Sequence, residues 1–321
     1  MSQHFLLSKA ARSLSLAKVA RLSEDEARVV FQNIRWAATE GKPSCPRCGC
    51  LAIYTYRARA VFKCKACAHQ FTVTSGTIFA NRKLPIRDYL MAIAIFVNGA
   101  KGYAALQLSR DLDVQYKTAY VMAHKIREAL SAEGAKATLS GEVEVDGLYA
   151  GGHVRPANRK EDRVDRRRVQ NQTGKRQVVV VMRERGGRTL PFVVKSEAEG
   201  VPTIAARVAP GSIIHADEAA HWDKLHGMYL TKRINHQEAY SDGDACTNQA
   251  ESFFSRLRRA EIGTHHHIAG PYLGSYASEM AWREDARRIS NGEQYLLTVS
   301  AALGHPVSRQ WKGYWQRHLS T

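Results

Sequence analysis

Three acidic residues in the second half of the chain could hold a catalytic metal ion. Asp146 ends the predicted strand "EVEVD", Asp217 ends the predicted strand "SIIHAD", and Glu251 lies in the first turn of the predicted helix "TNQAESFFSRLRRAEIG". Strand ends on one edge of an α/β sheet can lie close together, and a helix can add a third group. Gathered carboxylates repel each other unless a cation joins them, and magnesium prefers oxygen ligands of this kind. Two divalent ions about 4 Å apart would activate an oxygen nucleophile for attack on phosphorus.

Each of these acids also has a purely structural interpretation. Asp146 precedes a glycine and could begin a turn, whereas Asp217 could cap the helix that follows it. Asn248 and Glu251 have the spacing of a capping box. Three further acids compete for a role at the site: Glu144, Glu218 and, as an alternative to Glu251, Glu279.

The cysteines predict a second and different metal site. Four of the six have the spacing C-x2-C-x15-C-x2-C: Cys45, Cys48, Cys64 and Cys67. Each C-x2-C turn directs two sulfurs at one ion, and the intervening "LAIYTYRARAVFK" alternates as a short hairpin would. Because four thiolates leave no open coordination position, we expect one structural zinc ion in a zinc ribbon. Cys50 and Cys246 are interpreted as structural.

The charge balance indicates a nucleic-acid partner. The chain has 321 residues, a formal net charge of +17 and a sequence pI of about 9.8. A basic excess of this size is typical of proteins that bind nucleic acid. The most apolar run, residues 89–97, is far shorter than the ~20 residues that span a bilayer, and the first residues have no secretory pattern. We therefore expect no membrane association and a reducing, cytoplasmic and nucleoid-associated location.

The order of patterns predicts a multidomain α+β chain. Its expected segments are an N-terminal helical segment (1–43), the zinc ribbon (44–80), three helices (81–132), an α/β catalytic domain with a mixed sheet (133–295) and a C-terminal basic tail (296–321). Ser23 and Glu26 form a capping box in the first segment. In the catalytic domain, three strands are followed by helix, strand, helix, strand and helix, and the first hairpin is antiparallel.

Several basic and polar residues are candidates for contact with DNA. The second and third helices of 81–132 resemble a helix-turn-helix, although a plain three-helix bundle would have the same pattern. The residues expected in the major groove are Gln115, Tyr116, Lys117 and Thr118. An arginine-dense segment, 153–176, contains Arg166, Arg167 and Arg168, which would contact the DNA backbone.

Two features follow the third acid along the chain. Arg258 lies two helical turns after Glu251, on the same helix face, and could hold a phosphate. The His265–His267 run is expected to contact DNA or to form local hydrogen bonds rather than to bind zinc.

At this point the chain resembles the insertion-sequence transposases of the ISXO type, which are related to the Merlin transposons. The segment "CPRCGC…FKCKACAHQFTVTSGTIFANRKLPIRDYLMAI" is similar to that family's zinc ribbon and following helix. "EVEVDGLYAGG", "IIHADEAAHW" and "NQAESFFSRLRRAEIG" resemble its three catalytic segments. The resemblance implies an RNase H-like domain in which Asp146, Asp217 and Glu251 are a DDE triad. This chain departs from the family pattern at Gly147, where members often have an acid.

The resemblance also implies a reaction. Water would first attack at the ends of the element and free 3′-hydroxyls, which would then attack target DNA. The implied partners are terminal inverted repeats and target DNA, and two ends require a homo-oligomer on DNA. The implied cofactors are one structural zinc and two magnesium ions. The alternatives are a zinc-dependent DNA-binding regulator with a non-catalytic RNase H-like domain and a structure-selective DNA nuclease.

Overall fold

The computed structural model describes residues 4–150, 157–164, 171, 177–234, 246–311 and 313. The chain divides into two compact units. The first contains Met1–Ala132 together with Arg288–Thr321, and the second contains Glu133–Arg287. Within the described ranges, every helix is too short or too polar to cross a membrane.

The first unit is mainly helical. Its elements are α1 (Leu16–Ala20), α2 (Glu24–Arg35), β1 (Ile53–Tyr56), β2 (Val61–Cys64), β3 (Gln70–Phe71), α3 (Ile86–Asn98), α4 (Ala105–Asp111), α5 (Tyr116–Gly134) and α9 (Asn291–Gly304). The predicted capping box is confirmed at the start of α2, where the Ser23 hydroxyl and the Glu26 carboxylate each accept a backbone N–H from the other residue. The next residue of that turn, Glu24, accepts the N–H groups of Ile86 and Arg87 and so caps α3.

A three-stranded antiparallel sheet of order β1-β2-β3 follows α2. The hairpin expected between the two C-x2-C turns is present, with Ile53 paired to Cys64. One face of the sheet packs on an aromatic cluster in which Trp36 contacts the rings of Phe62 and Phe71 at 5.6 and 6.4 Å. This cluster provides the apolar support that a sheet of only three short strands needs.

The three helices expected in 81–132 are α3, α4 and α5. They share a core formed by Ala92, Ile95, Leu108, Ala119, Met122 and Ala123. The chain turns from α4 into α5 through Asp113, whose φ of +50° places it in the left-handed region. The fully apolar "AIAIFV" run of α3 is buried, so this helix forms the centre of the unit.

The C-terminal basic tail expected at 296–321 is wrong for its first part. Residues Asn291–Gly304 form α9, which packs against α2 and α3. The helix begins at Ser290, whose hydroxyl accepts the Glu293 N–H. Its buried residues, Tyr295, Thr298, Val299, Ala302 and Leu303, recur at helical spacing, and this amphipathic stripe is the reason that the segment is ordered within the unit.

The second unit is built on one mixed sheet. Its elements are β4 (Glu142–Ala150), β5 (Gln177–Glu184), β6 (Thr189–Val194), α6 (Val201–Arg207), β7 (Ile213–Asp217), β8 (Leu230–Ile234), α7 (Asn248–Ala260) and α8 (Leu273–Asp285). The strand order is β6-β5-β4-β7-β8. The first three strands are antiparallel, and β4, β7 and β8 are parallel. The helix expected after β7 is instead a 3-10 segment, Ala220–Gly227.

The two faces of this sheet bury different helices. Leu148, Ala150, Val179 and Val181 pack with α7 and α8, whereas Val143, Val145, Val178 and Val180 pack with α6 and with Trp222 of the 3-10 segment. The valine run of β5 is buried on both faces, as expected for an inner strand covered by helices on either side. The predicted fold class, a multidomain α+β chain with a mixed sheet in its second half, is confirmed.

Candidate functional site

The four-cysteine cluster lies at one end of the ribbon sheet. The distances between sulfurs are 3.6 Å for Cys45–Cys67 and Cys48–Cys64, and 3.5 Å for Cys48–Cys67. A tetrahedral zinc ion with bonds of about 2.3 Å would separate its sulfurs by about 3.8 Å. All four sulfurs lie within 4.8 Å of one another. The donor set therefore fits a zinc ion.

Backbone groups favour the thiolate form at this cluster. The backbone N–H of Cys67 points at the Cys64 sulfur and, against the effect of burial, lowers the pKa of that thiol to about 6. Gly49, with φ +73°, and Ala68, with φ +55°, close the turns that follow the two C-x2-C pairs. The two turns supply both the sulfurs and the N–H groups that stabilise them.

The acidic site lies where the parallel strands β4 and β7 separate. Their pairing ends at Glu144 opposite His215. Two residues further along, the same register places Asp146 level with Asp217. Asp146 lies on the α7 face because Leu148 and Ala150, at the same parity of β4, pack against α7. Asp217 lies on the same face because Ile214 and Ala216, at the opposite parity of β7, pack with α6. Asp146 lies in the interior of β4 rather than at its end, since the strand continues to Ala150.

Several carboxylates affect the ionisation of Asp146. Burial raises the pKa of Asp146 to about 7; the N–H of Gly147 opposes this shift, and the charges of Asp217, Glu197 and Glu251 add to it. Burial and the charge of Asp217 likewise raise the pKa of Glu197 to about 7. Such a group is difficult to ionise completely without a cation.

The spacing of these carboxylates differs from that of the cysteines. Among the described residues, the cysteine cluster alone brings three or more possible metal ligands within 4.8 Å of one another. The sheet-edge acids are spread more widely. A set that holds two ions about 4 Å apart is necessarily wider than a set that encloses one ion.

The third acid is positioned by a buried glutamate. The carboxylate of Glu144 is fully buried and accepts the backbone N–H groups of Gln249 and Ala250 at 2.7 and 3.1 Å. These N–H groups belong to the first turn of α7, the turn that carries Glu251. Arg185 donates to the other Glu144 oxygen at 3.0 Å and also pairs with Glu142. Glu144 thus fixes the start of α7 to β4 through charge-assisted bonds.

Of the three purely structural interpretations of the acids, the structure contradicts two and supports one. The Asp146 turn is wrong because the residue lies within a strand. The capping box at Glu251 is wrong because Asn248 is the first helical residue and Glu144 provides the cap. For Asp217 a local role is present, since its carboxylate accepts the Ala219 N–H at 3.2 Å.

The competing acids have other partners or positions. Glu279 is fully buried in α8 and accepts two bonds from Arg283, at 2.8 and 2.9 Å. Glu218 follows Asp217 but is exposed. Neither contributes to the raised pKa of Asp146, which favours Glu251 as the third acid.

Sequence reasoning missed Glu197. Its side chain occupies the space beside Gly147, where a Cβ would lie 2.2 Å from Glu197 Oε1. The available signal was Gly147 itself, because a glycine inside a strand often marks a close approach. The group that approaches this glycine in the structure is a carboxylate.

The candidates for DNA contact are distributed over both units. Gln115, Tyr116, Lys117 and Thr118 at the start of α5 are exposed, as is Arg258 on α7. Arg166, Arg167 and Arg168 lie outside the described residues. The His265 ring packs at 4.6 Å against Tyr276, and the histidine run joins no cluster of metal ligands in the described part of the chain. The roles of all these residues remain predictions.

Comparison with known proteins gives two family matches. Residues 138–285 match the ISXO2-like transposase domain, and residues 22–70 match the transposase zinc-ribbon domain. Together the matches cover more than half of the chain. The first contains β4, β7 and α7 with their three acids, and the second contains the four cysteines.

One curated relative matches over nearly its whole length. It is described as an uncharacterized protein in transposable element ISH50 of Halobacterium salinarum and is 24% identical over 290 residues, which are 87% of this chain and 96% of the relative. A chain in the crystal structure of the Mos1 strand transfer complex aligns with 70% of this chain and 76% of its own length, at 12% identity and a TM-score of 0.25. A TM-score this low supports no conclusion about this chain.

Proposed function

Because this chain belongs to the ISXO2-like transposase family, we propose that it is the transposase of an insertion sequence, which cleaves DNA at the ends of its element and transfers the strands to target DNA. The observation that carries the proposal is that Asp146, Asp217 and Glu251, from β4, β7 and α7, lie close enough to interact: burial first, and then the charges of the other two, raise the pKa of Asp146. These residues would be the catalytic acids.

The donor set supports magnesium as the catalytic metal. Carboxylate oxygens are the ligands that magnesium prefers, and Asp146, whose pKa is raised by burial and by neighbouring charges, is an acid that a cation would help to ionise. Asp146, Asp217 and Glu251 would hold the ions, two in number. When bound, magnesium supplies charge neutralisation at phosphorus and an activated oxygen nucleophile.

The remaining steps depend on the protein's own side chains. Glu144 holds α7 in place so that Glu251 faces β4. Arg258, exposed on the same helix, would bind a backbone phosphate near the scissile bond. In the first reaction water attacks phosphorus, and the strand's 3′-oxygen leaves as a hydroxyl. In the second, this hydroxyl attacks a target phosphodiester, and the target's own 3′-oxygen leaves.

The first unit would recognise the ends of the element. The residues Gln115 to Thr118 are exposed at the start of α5, and they would act as the base-contacting residues of a recognition helix do. The ribbon adds an exposed, basic surface in which Lys65 lies 4.7 Å from the Tyr54 ring and Arg59 lies 5.5 Å from the Tyr56 ring. Binding of this kind weakens steeply with salt. Joining two ends requires a multimer on DNA, and the site of action would be the nucleoid.

A cleavage and joining assay tests this function. Purified protein would be incubated with labelled terminal-repeat DNA, target DNA and magnesium. We expect magnesium-dependent release of 3′-hydroxyl ends followed by joined products. Binding without cleavage would support a DNA-binding regulator instead, and cleavage without joining would support a nuclease. Cleavage that persists in Asp146→Asn would contradict the assignment of the site.

A further inference from the structure

We propose that Glu197 is a fourth carboxylate of the catalytic centre, that it binds a divalent cation with the three predicted acids, and that Gly147 is the residue that admits it. The inference rests on the proposed function, because it extends the same centre. The ligand of this site would be a hard divalent cation such as Mg²⁺ or Mn²⁺.

The first support is the space beside Gly147. A Cβ at this position would lie 2.2, 2.6 and 2.7 Å from Oε1, Cγ and Cδ of Glu197. Real Cβ atoms essentially never approach other atoms so closely, so any larger residue would displace the carboxylate. The backbone of Gly147 is not in the left-handed region, and it is paired with Val180 in an ordinary strand. Glycine is therefore required here for space rather than for conformation.

The second support is the position of Glu197 relative to the first catalytic acid. The Gly147 N–H donates to Asp146 Oδ1 at 2.7 Å, and Glu197 contacts the other side of the same residue. Backbone bond lengths then limit the distance between the two carboxylates to about 7 Å at most. Gly147 has the parity of Val143 and Val145, so Glu197 approaches β4 from the α6 face, whereas Asp146 lies on the α7 face. A cation held by both carboxylates would lie at the open edge of β4, beyond its last pair with β7.

The third support is the contact of Glu197 with the segment after β7. The other carboxylate oxygen, Oε2, lies 3.2 Å from Nε2 of His221, four residues after Asp217. Glu197 is the first residue of a 3-10 turn, Glu197–Gly200, that leads into α6. It therefore joins Gly147 of β4 to the segment that follows β7, near the point at which the strands that carry Asp146 and Asp217 separate.

A purely structural ion pair with His221 explains this arrangement less well. The contact is within ion-pair distance but lacks the alignment of a hydrogen bond, since His221 Nε2 has no hydrogen-bond partner among the residues that the structure describes. The Glu197 side chain is only 19% exposed, and a largely buried carboxylate needs strong compensation. A divalent cation shared with Asp146 and Asp217 would provide it.

Manganese binding to the zinc-loaded, full-length protein without DNA tests the inference. The loss of the free Mn²⁺ signal in electron paramagnetic resonance would give the affinity for wild type, Glu197→Gln, Asp146→Asn and Glu199→Gln. Glu199 is the matched control because it is exposed, lies in the same turn and accepts only a local N–H, from Lys195. We expect Glu197→Gln to weaken binding by about tenfold or more and Glu199→Gln to leave it unchanged.

A rescue pair separates a ligand from a structural acid. Gly147→Ala should weaken Mn²⁺ binding, because its Cβ displaces the Glu197 carboxylate. In Glu197→Ala combined with Gly147→Asp, a carboxylate returns to the same space from the other residue, and we expect binding to recover relative to Glu197→Ala. Thermal unfolding with Mn²⁺ omitted shows that the variants are folded.

The outcomes distinguish the two levels of the proposal. Wild-type affinity in Glu197→Gln, with binding lost in Asp146→Asn, would overturn the role of Glu197 and leave the three-acid centre intact. Wild-type affinity in Asp146→Asn would overturn both. Weakened binding in Glu197→Gln without rescue by the aspartate at 147 would contradict a ligand role and indicate a structural one.

Discussion

The cysteine cluster and the sheet-edge carboxylates are two ligand sets that the chain assembles in opposite ways. The ribbon takes its four sulfurs from two short turns joined by one hairpin, and all of them lie within 4.8 Å of one another. The sheet edge takes its acids from β4, β7, α7 and the turn before α6, and these acids are more widely spaced. The first set fits a single enclosed ion, whereas the proposed magnesium ions and DNA substrate would need the wider second set.

The two sites therefore depend on different features of the fold. A cysteine cluster depends on local turns and on soft, deprotonated sulfurs, so it can be complete before any substrate is present. A carboxylate centre depends on long-range strand register and on a supporting residue, here Glu144. Burial and the charges of the neighbouring acids raise the pKa of Asp146. The centre is therefore strained electrostatically in a way that a cation relieves.

The largest effect is expected from removing one sulfur of the cysteine cluster. Structural zinc contributes about 10–16 kcal/mol of apparent binding free energy in small zinc domains. Cys64→Ser should abolish stoichiometric zinc binding and change the fluorescence of Trp36, which packs on the ribbon core. Cys50→Ser is the matched control, because Cys50 lies beside the cluster but outside it. Zinc content by mass spectrometry decides, and zinc retained in Cys64→Ser would refute the four-thiolate site.

The second-largest effect is expected from neutralising one of the sheet-edge carboxylates. Asp146→Asn keeps the size of the side chain but removes its charge, and strand cleavage should fall roughly a thousandfold, which corresponds to about 4 kcal/mol. Glu218→Gln alters the exposed acid beside Asp217 and should cleave at nearly the wild-type rate. Single-turnover cleavage of labelled end DNA gives both rates. Equal losses in the two variants would indicate a general effect of charge rather than a specific centre.

A smaller effect is expected from Glu144, which holds the start of α7 beside the sheet-edge carboxylates. Glu144→Gln removes the charge that holds the α7 N-terminus, and because the site is buried we expect a loss of about 1–3 kcal/mol in unfolding free energy. Glu142→Gln removes a partly exposed partner of the same Arg185 and should cost less than about 1 kcal/mol. Chemical denaturation measures both. A fall in Mn²⁺ affinity in Glu144→Gln alone would identify a positioning role beyond stability.

The smallest effect concerns pH. Because the pKa of Asp146 is raised to about 7, its protonated form stabilises the fold; that stabilisation is complete below about pH 4 and is lost as pH rises through 7. A cation binds the ionised form, so magnesium affinity should increase about tenfold between pH 6 and pH 8, equivalent to about 1.4 kcal/mol. Thermal shifts with added magnesium measure this. A shift independent of pH would contradict the raised pKa of Asp146.

Much of the fold could be predicted from the sequence because its signals are local. The C-x2-C spacing, the capping box at Ser23 and the alternation of the strands each depend on neighbouring residues. The three acids could be placed on two strands and a helix for the same reason. α9 was not predicted, because its apolar stripe is weak and its burial depends on the surfaces of α2 and α3.

The parts of the site that the sequence did not reveal are long-range contacts. Glu197 reaches Gly147 only because β4 and the turn before α6 meet in the folded sheet. Glu144 caps α7 across more than a hundred residues of chain. No periodicity or motif encodes such pairs, and only the glycine inside a strand indicated that a contact was needed there.

Anomalous X-ray scattering from crystals of the protein grown with zinc and manganese tests the central comparison most directly. Data collected at the two absorption edges distinguish the metals by position. We expect a zinc peak enclosed by Cys45, Cys48, Cys64 and Cys67, and manganese peaks in contact with Asp146, Asp217 and Glu251. Manganese bound elsewhere, with no peak at these three carboxylates, would contradict this expectation.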